Sequence, residues 1–120
     1  MTIVLLVLNI VLGIVFLAAG LMKLLRLREK LAESGMAWAG DFGATAVKAI
    51  GAAEVLGALG LVLPRITGIA PALAPIAAIC LVILMIGAAV VHIRRHEPPV
   101  PPVALAVLSA VSAVLGFLAL

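Results

Sequence analysis

The sequence is poor in charged residues. Only 11% of its 120 residues are charged, whereas about a quarter are charged in a typical soluble domain. Hydrophobic residues make up 67%, and the mean hydropathy is +1.45. A chain of this length forms one domain and cannot hide so much apolar surface in a water-soluble core. We therefore expect a single transmembrane domain over residues 1–120, with the lipid bilayer as its first partner.

Cysteine is almost absent. The chain has one, Cys80, which excludes an intramolecular disulfide and a paired-cysteine redox motif. Cys80 lies in an apolar run, where a free cysteine usually serves as a small buried hydrophobe. Thiol–disulfide chemistry carried by this chain alone is excluded.

Aromatic residues are also scarce, at 3%. The net charge of +3 and a pI near 9.8 are compatible with nucleic-acid binding. The basic residues, however, stand at the ends of apolar segments and lack the stacking aromatics and the basic stripe that such binding requires. No nucleic-acid partner is expected.

Four long apolar runs account for most of the chain, at residues 2–25, 44–63, 67–92 and 102–120. Each has about the 20 residues that a helix needs to cross the hydrocarbon core. Backbone groups in lipid must be satisfied internally, which favours helices. The predicted fold is all-α, a transmembrane four-helix bundle.

The connections between these runs differ. The first, 26–43, mixes Leu27, Leu31 and Trp38 with charged residues, which predicts a short interfacial amphipathic helix between helices one and two. The second is predicted to be only Pro64 and Arg65. The third is short and rich in proline, which favours extended backbone.

The basic residues predict an orientation. Four spans place the first and third connections on one side of the membrane, together with most of the basic residues, whereas the opposite side has both termini and Arg65. The positive-inside rule then places the basic loops in the cytoplasm and both termini outside. We expect the protein to be integral to the cell membrane, as in a bacterial plasma membrane.

One carboxylate interrupts the second run. Glu54 lies near its middle, where an unpaired charge costs at least about 2.5 kcal/mol, so such residues usually face a protein interior and have a partner. Small residues in the same run predict a stripe for close helix packing; they are Ala49, Ala53, Gly57 and Gly60. We therefore expect Glu54 to point into the bundle.

Lys23, His92 and Lys48 are the candidate partners of Glu54. Lys48 lies about 9 Å along the helix and about 120° around it from Glu54, so direct pairing is not expected, and a snorkelling anchor is the alternative. Lys23 is either a snorkelling cap or an internal partner. His92 is either an interfacial histidine or part of the site. The predicted buried polar cluster is Glu54, Lys23 and His92, and Asn9 is a further donor to a neighbouring helix.

The sequence does not contain the residue patterns that several common kinds of functional site require. His92 and His96 share a helical spacing but have no further ligand pattern, so no metal is expected. No phosphate-binding loop, nucleophile triad or haem signature is present, and no second membrane acid supports glycoside hydrolysis. The catalytic residues, if there are any, stay unknown, and no cofactor is evident.

Three motifs together resemble the DoxX-like family of small four-helix membrane proteins. They are GLMKL at 20–24, KAIGAAEVLGALGLVLPRITGIAP at 48–71 and GAAVVHIRR at 87–95. The resemblance implies that Lys23, Glu54 and His92 stand where the family keeps polar residues. It also implies links to redox complexes, including a subunit associated with thiosulfate:quinone oxidoreductase, and a distant similarity to a receptor-assembly chaperone.

Three functions are then open. The first is an accessory or scaffolding subunit of a membrane complex, which the resemblance links to redox chemistry, or a homo-oligomer. The second is a quinone- or lipid-binding oxidoreductase component in which Glu54 and His92 transfer protons. The third is a small proton-coupled multidrug transporter, although such proteins resemble this chain less because their acid lies in the first helix beside aromatic residues. One cysteine and no tyrosine argue against independent enzymatic activity.

Overall fold

Residues 2–25 and 44–120 are described by a computed structural model, and they form four α-helices with no strand. The helices are α1 (Thr2–Leu25), α2 (Ala44–Thr67), α3 (Leu73–Arg94) and α4 (Val100–Leu118). Each is long and apolar enough to cross a membrane. The all-α four-helix prediction is confirmed for these residues. The predicted interfacial helix within 26–43 lies outside them.

The predicted link at Pro64 and Arg65 is wrong, because α2 continues through Pro64 to Thr67. A proline in a helix removes only its own N–H donor and crowds one preceding carbonyl. The helix end beyond it is held by other bonds: the Thr67 hydroxyl donates to the Leu63 carbonyl (2.7 Å), and the Gly68 N–H donates to the Pro64 carbonyl (3.0 Å). One missing donor is therefore too little to end α2.

The turn between α2 and α3 occupies residues 68–72 instead. Gly68 has a φ of 72°, the left-handed region that glycine adopts without steric cost. The third helix, predicted from residue 67, begins at Leu73, so Pro71 precedes it and Pro75 lies in its first turn. Proline is tolerated there because first-turn N–H groups have no partner within the helix.

The link between α3 and α4 spans residues 95–99. The last helix begins at Val100 with Pro101 and Pro102 in its first turn, two residues before the predicted start. The fixed φ of proline suits a helix start. The proline-rich stretch therefore contributes the beginning of α4 as well as the link.

Successive helices pack antiparallel. The contact of α1 with α2 is the most extensive, followed by α3 with α4 and α2 with α3, and α4 also touches α1. Four basic residues gather at the end of the bundle where α1 and α3 finish and α2 and α4 begin, and we call this the basic end; they are Lys23, Lys48, Arg94 and Arg95.

The core is built from side chains that all four helices direct inward; they are Leu12, Phe16, Ala58, Leu61, Ala78, Leu81, Met85 and Ala113. Many large apolar side chains lie on the outer surface instead, such as Ile3, Leu56 and Ile83. An apolar outer surface is what a bilayer requires. Cys80 is exposed on α3, so the expectation of a buried cysteine is wrong.

Glycines set the distance between α1 and α2. A Cβ added to Gly51 would lie 2.8 Å from the Gly20 carbonyl oxygen, and one added to Gly20 would lie 2.6 Å from the Gly51 carbonyl oxygen. Small residues at a helix contact let two backbones approach this closely in a membrane. The contact stripe of α2 therefore runs through Gly51, Glu54 and Ala58, all buried.

The predicted small-residue stripe lies only partly in the bundle. Gly57 is buried and Gly60 is half-buried, but Ala49 and Ala53 are exposed. The reason is helical periodicity: with about 3.6 residues per turn, Ala49 and Ala53 point away from the face that carries Glu54. Among residues 2–25 and 44–120 they stand on the exposed side of α2 rather than in the helix contacts of the bundle, unlike Gly57.

We predict that Gly51→Ala lowers the free energy of unfolding by about 1–3 kcal/mol, the usual cost of overpacking, although alanine favours a helix more than glycine does. The matched control is Gly87→Ala in α3, because a Cβ there meets nothing within 4 Å. This control should be neutral or stabilising by up to about 1 kcal/mol. Denaturation in detergent followed by circular dichroism measures both. Equal or higher stability of Gly51→Ala would contradict the close approach of α1 and α2.

Candidate functional site

The centre of the site is an ion pair between α1 and α2. Lys23 Nζ lies 2.5 Å from Glu54 Oε1 and donates a hydrogen bond to it. The two side chains are 8% and 2% exposed, respectively. The carboxylate that interrupts the second apolar run therefore has its partner on the first helix.

The local sequence explains why these two residues meet. Lys23 stands three residues after Gly20, and Glu54 stands three residues after Gly51. Residues three apart lie on one face of a helix, so both side chains lie at the α1–α2 contact. Because the helices are antiparallel, Lys23 starts level with Gly51, whose added Cβ would lie 2.8 Å from Lys23 Cβ, and its stem runs about one turn along α2 to reach the Glu54 carboxylate. A long flexible stem lets the ammonium group reach inward rather than toward the headgroups.

The pair lowers the cost of placing charge in the bundle. An isolated charge at bilayer depth costs at least about 2.5 kcal/mol, whereas the two opposite charges attract strongly where the dielectric constant is low. Such a pair is stable only while both partners remain, because removing one leaves an uncompensated buried charge. Lys23 and Glu54 are therefore a coupled unit.

Lys48 is not a partner of Glu54, as its helical position predicted. It is exposed, and its Nζ donates to the Leu24 carbonyl at 2.8 Å. A lysine at the carboxyl end of a helix satisfies a carbonyl that has no donor within the helix. Lys48 thus ties the start of α2 to the end of α1.

His92 is half-buried near the end of α3. Its Nδ1 lies 3.9 Å from Glu97 Oε1, and its carbonyl accepts a hydrogen bond from the Glu97 N–H at 2.9 Å. The same carboxylate oxygen accepts a hydrogen bond from Arg95 Nε at 3.2 Å. Glu97, which the sequence did not single out, therefore holds the polar side chains at the end of α3.

A cavity of about 550 Å³ brings Lys23, Glu54 and His92 to one space. All four helices line it, and its other lining side chains are apolar residues, glycine or proline. Ligand sites typically have volumes of about 300–1,000 Å³, mostly apolar walls and a few polar groups that orient the ligand. The predicted cluster is thus arranged as an ion pair and a histidine on the wall of one cavity.

A second polar contact lies farther from the basic end. The Asn9 amide donates to the Leu61 carbonyl at 3.0 Å, and the Ser112 hydroxyl donates to Asn9 Oδ1 at 2.5 Å. The Asn9 donor was predicted, but its partners were not. Ser109, one turn before Ser112, is buried, and its Oγ has no hydrogen-bond partner within residues 2–25 and 44–120.

Only a weak sequence pattern points to these serines. Ser109 and Ser112 are three residues apart in an apolar run and so share a helix face. Serine is common in membrane helices, where its hydroxyl can bond the preceding turn, so the spacing alone does not identify a buried contact. Nothing in the sequence predicted that Pro102 and Leu105 line the cavity, because only the packing of α4 against the other helices brings them to its wall.

Fold and site together define an integral membrane protein: a transmembrane four-helix bundle with a buried ion pair beside an internal cavity. The DoxX-like family matches residues 7–115 of the chain, which covers all four helices. The chain therefore belongs to the DoxX-like family. No curated protein and no solved structure matches it significantly.

We predict that Lys23→Met lowers the free energy of unfolding by about 3–5 kcal/mol, because Glu54 keeps no ammonium partner in the bundle. The double variant Lys23→Met with Glu54→Met should recover most of this loss, since no unpaired charge then remains. Lys48→Met is the matched control: this exposed lysine at the same end of the bundle should change stability less. Detergent unfolding of the native protein, the single variants Lys23→Met and Glu54→Met, the double variant and Lys48→Met measures the coupling. Additive losses in the double variant would argue against a coupled pair.

Proposed function

We propose that the protein is a quinone- or lipid-binding component of the cell membrane, with its site in the four-helix cavity. The observation that carries this proposal is the composition of the cavity wall, which is apolar except for Lys23, Glu54 and His92. A lipophilic molecule with a hydrogen-bonding head fits such a wall, because its body replaces lipid contacts while its head meets the polar groups.

The chemistry that these groups can supply is hydrogen bonding and proton transfer. A lysine ammonium donates to a ring carbonyl, and a carboxylate and an imidazole accept or donate protons when their protonation changes. A bound quinone would meet Lys23 of α1, Glu54 of α2 and His92 of α3, which all line the same cavity. Electrons for quinone reduction would come from a partner subunit, so this function places the protein within a redox complex.

An accessory subunit without a ligand is the second candidate, and the outer face of α2 favours it. Ala46, Ala49 and Ala53 are all exposed there and recur at helical spacing. Small residues on the outside of a membrane helix allow the close approach of another helix. The predicted packing role of Ala49 and Ala53 would then belong to a contact with a second copy or another subunit.

We expect purification in mild detergent to separate these candidates. Organic extraction and mass spectrometry should find a quinone or another lipid-soluble molecule with the native protein, and at least about tenfold less with Glu54→Gln, because the loss of a hydrogen bond to a charged group costs about 1.5–3 kcal/mol. Lys48→Gln is the matched control and should retain the native amount. Copurified protein subunits with no such molecule would instead favour the accessory role.

The proposed orientation has both termini outside and the basic end in the cytoplasm. We predict that in a Cys80→Ser background Thr2→Cys is labelled by a membrane-impermeant maleimide added to intact cells, whereas Ser34→Cys is labelled only after the cells are lysed. Strong labelling of Ser34→Cys in intact cells would reverse the orientation.

A further inference from the structure

The contact between α2 and α3 differs along its length. Far from the basic end the two helices are tightly packed: a Cβ added to Gly57 would lie 2.6 Å from Leu81 Cδ2, and one added to Gly60 would lie 2.8 Å from Ala77 Cβ. Toward the basic end the cavity lies between the two helices, and its lining includes Ile50 and Glu54 of α2 and Ile83 and Gly87 of α3. The two helices therefore diverge from the 68–72 turn toward the basic end.

This divergence connects the cavity with the outer surface of the bundle. Ile50 of α2 and Ile83 and Gly87 of α3 line the cavity, and we call the gap between them the α2–α3 opening. Ile83 is 65% exposed and Gly87 is also exposed, so the cavity wall passes into the outer surface at these residues. The rim is apolar and lies within the spans that cross the membrane.

The ion pair lies at the buried end of the cavity, whereas the rim residues Ile83 and Gly87 are exposed. Lys23 belongs to α1, which is not one of the helices that form the opening, and it pairs there with the buried Glu54. A molecule in the cavity therefore has hydrogen-bonding groups at its inner end and apolar side chains, then lipid, at its outer end. This gradient matches an amphiphile with a polar head and an apolar tail.

We propose that the ligand binds with its head beside Lys23 and Glu54 and with its tail passing through the α2–α3 opening into the bilayer. The inference rests on the proposed ligand-binding function and adds a substrate class: membrane-resident amphiphiles with an extended tail. Gly87 is then a specificity-determining residue, because the absence of a side chain leaves room for the tail. Ile83, one turn before Gly87 on α3, is a second specificity-determining residue because its side chain stands at the rim of the opening.

The test compares two probes, decylubiquinone and the same quinone ring without its decyl tail. Binding is titrated in nanodiscs of one lipid composition through the shift in the thermal unfolding midpoint, which also shows whether each variant folds. Because the lipid composition is the same throughout, a given quinone partitions into the lipid to the same extent in the native and variant samples. The ratio of the two apparent Kd values, compared between variant and native protein, therefore reports the site alone.

We expect Gly87→Leu to weaken decylubiquinone about tenfold or more relative to the tailless ring, since overpacking by a side chain costs about 1–3 kcal/mol. Cys80→Leu is the matched control, because Cys80 is exposed on the same helix and is not among the cavity residues. A second pair repeats the test with a different side chain: Ile83→Trp at the rim should act like Gly87→Leu, and Ile86→Trp, also exposed and outside the cavity lining, should act like native protein.

The experiment distinguishes a failure of the proposed ligand-binding function from a failure of the proposed route for the tail. If native protein binds neither probe, nor any quinone or other lipid-soluble molecule that copurifies with it, the proposed function fails and the inference falls with it. If native protein binds both probes and the ratio is unchanged in Gly87→Leu and Ile83→Trp, ligand binding stands and the tail route is overturned. An equal loss of both probes also overturns it, because the new side chain would then occupy the space of the head.

Discussion

The buried pair of Lys23 and Glu54 is the interaction on which the rest of the bundle depends. Glu54 is tolerated in an apolar span because an ammonium group from the neighbouring helix neutralises it, and this contact exists only because Gly20 and Gly51 let α1 and α2 approach closely. The close backbone contact of α1 with α2 and the buried ion pair therefore depend on each other. A side chain at either glycine would separate the charges as well as the helices.

The cavity lies beside that close contact, because Lys23 and Glu54 also line it. Where α1 and α2 are close, a cavity separates α2 from α3, and its lining includes the ion pair and Gly87. The other buried polar contact satisfies itself, because Asn9 bonds to the Leu61 carbonyl and to Ser112. Lys23 and Glu54 differ because they also border a space large enough for a ligand, which is why the proposed function is placed there rather than at Asn9.

Much of the fold was predictable. The number of spans, their helical form and the start of α2 follow from the length of the apolar runs. The prediction that α2 ends at Leu63 was wrong, because a single proline weakens a helix without ending it. The partner of Glu54 was narrowed to two candidates, because helical spacing excluded Lys48 on the same helix but could not choose between Lys23 on α1 and His92 on α3.

The sequence by itself determined that this protein lies in a membrane, that it crosses it as four helices, and that a carboxylate in the second span needs a partner. These conclusions depend on hydropathy and on the cost of charge in lipid, which are local properties of the chain. Only the tertiary structure decided that Lys23 is the partner, that Ala49 and Ala53 face outward, and that α2 and α3 open beside Gly87. Such features depend on how each helix is rotated and how closely it approaches its neighbours, which several weak contacts decide together.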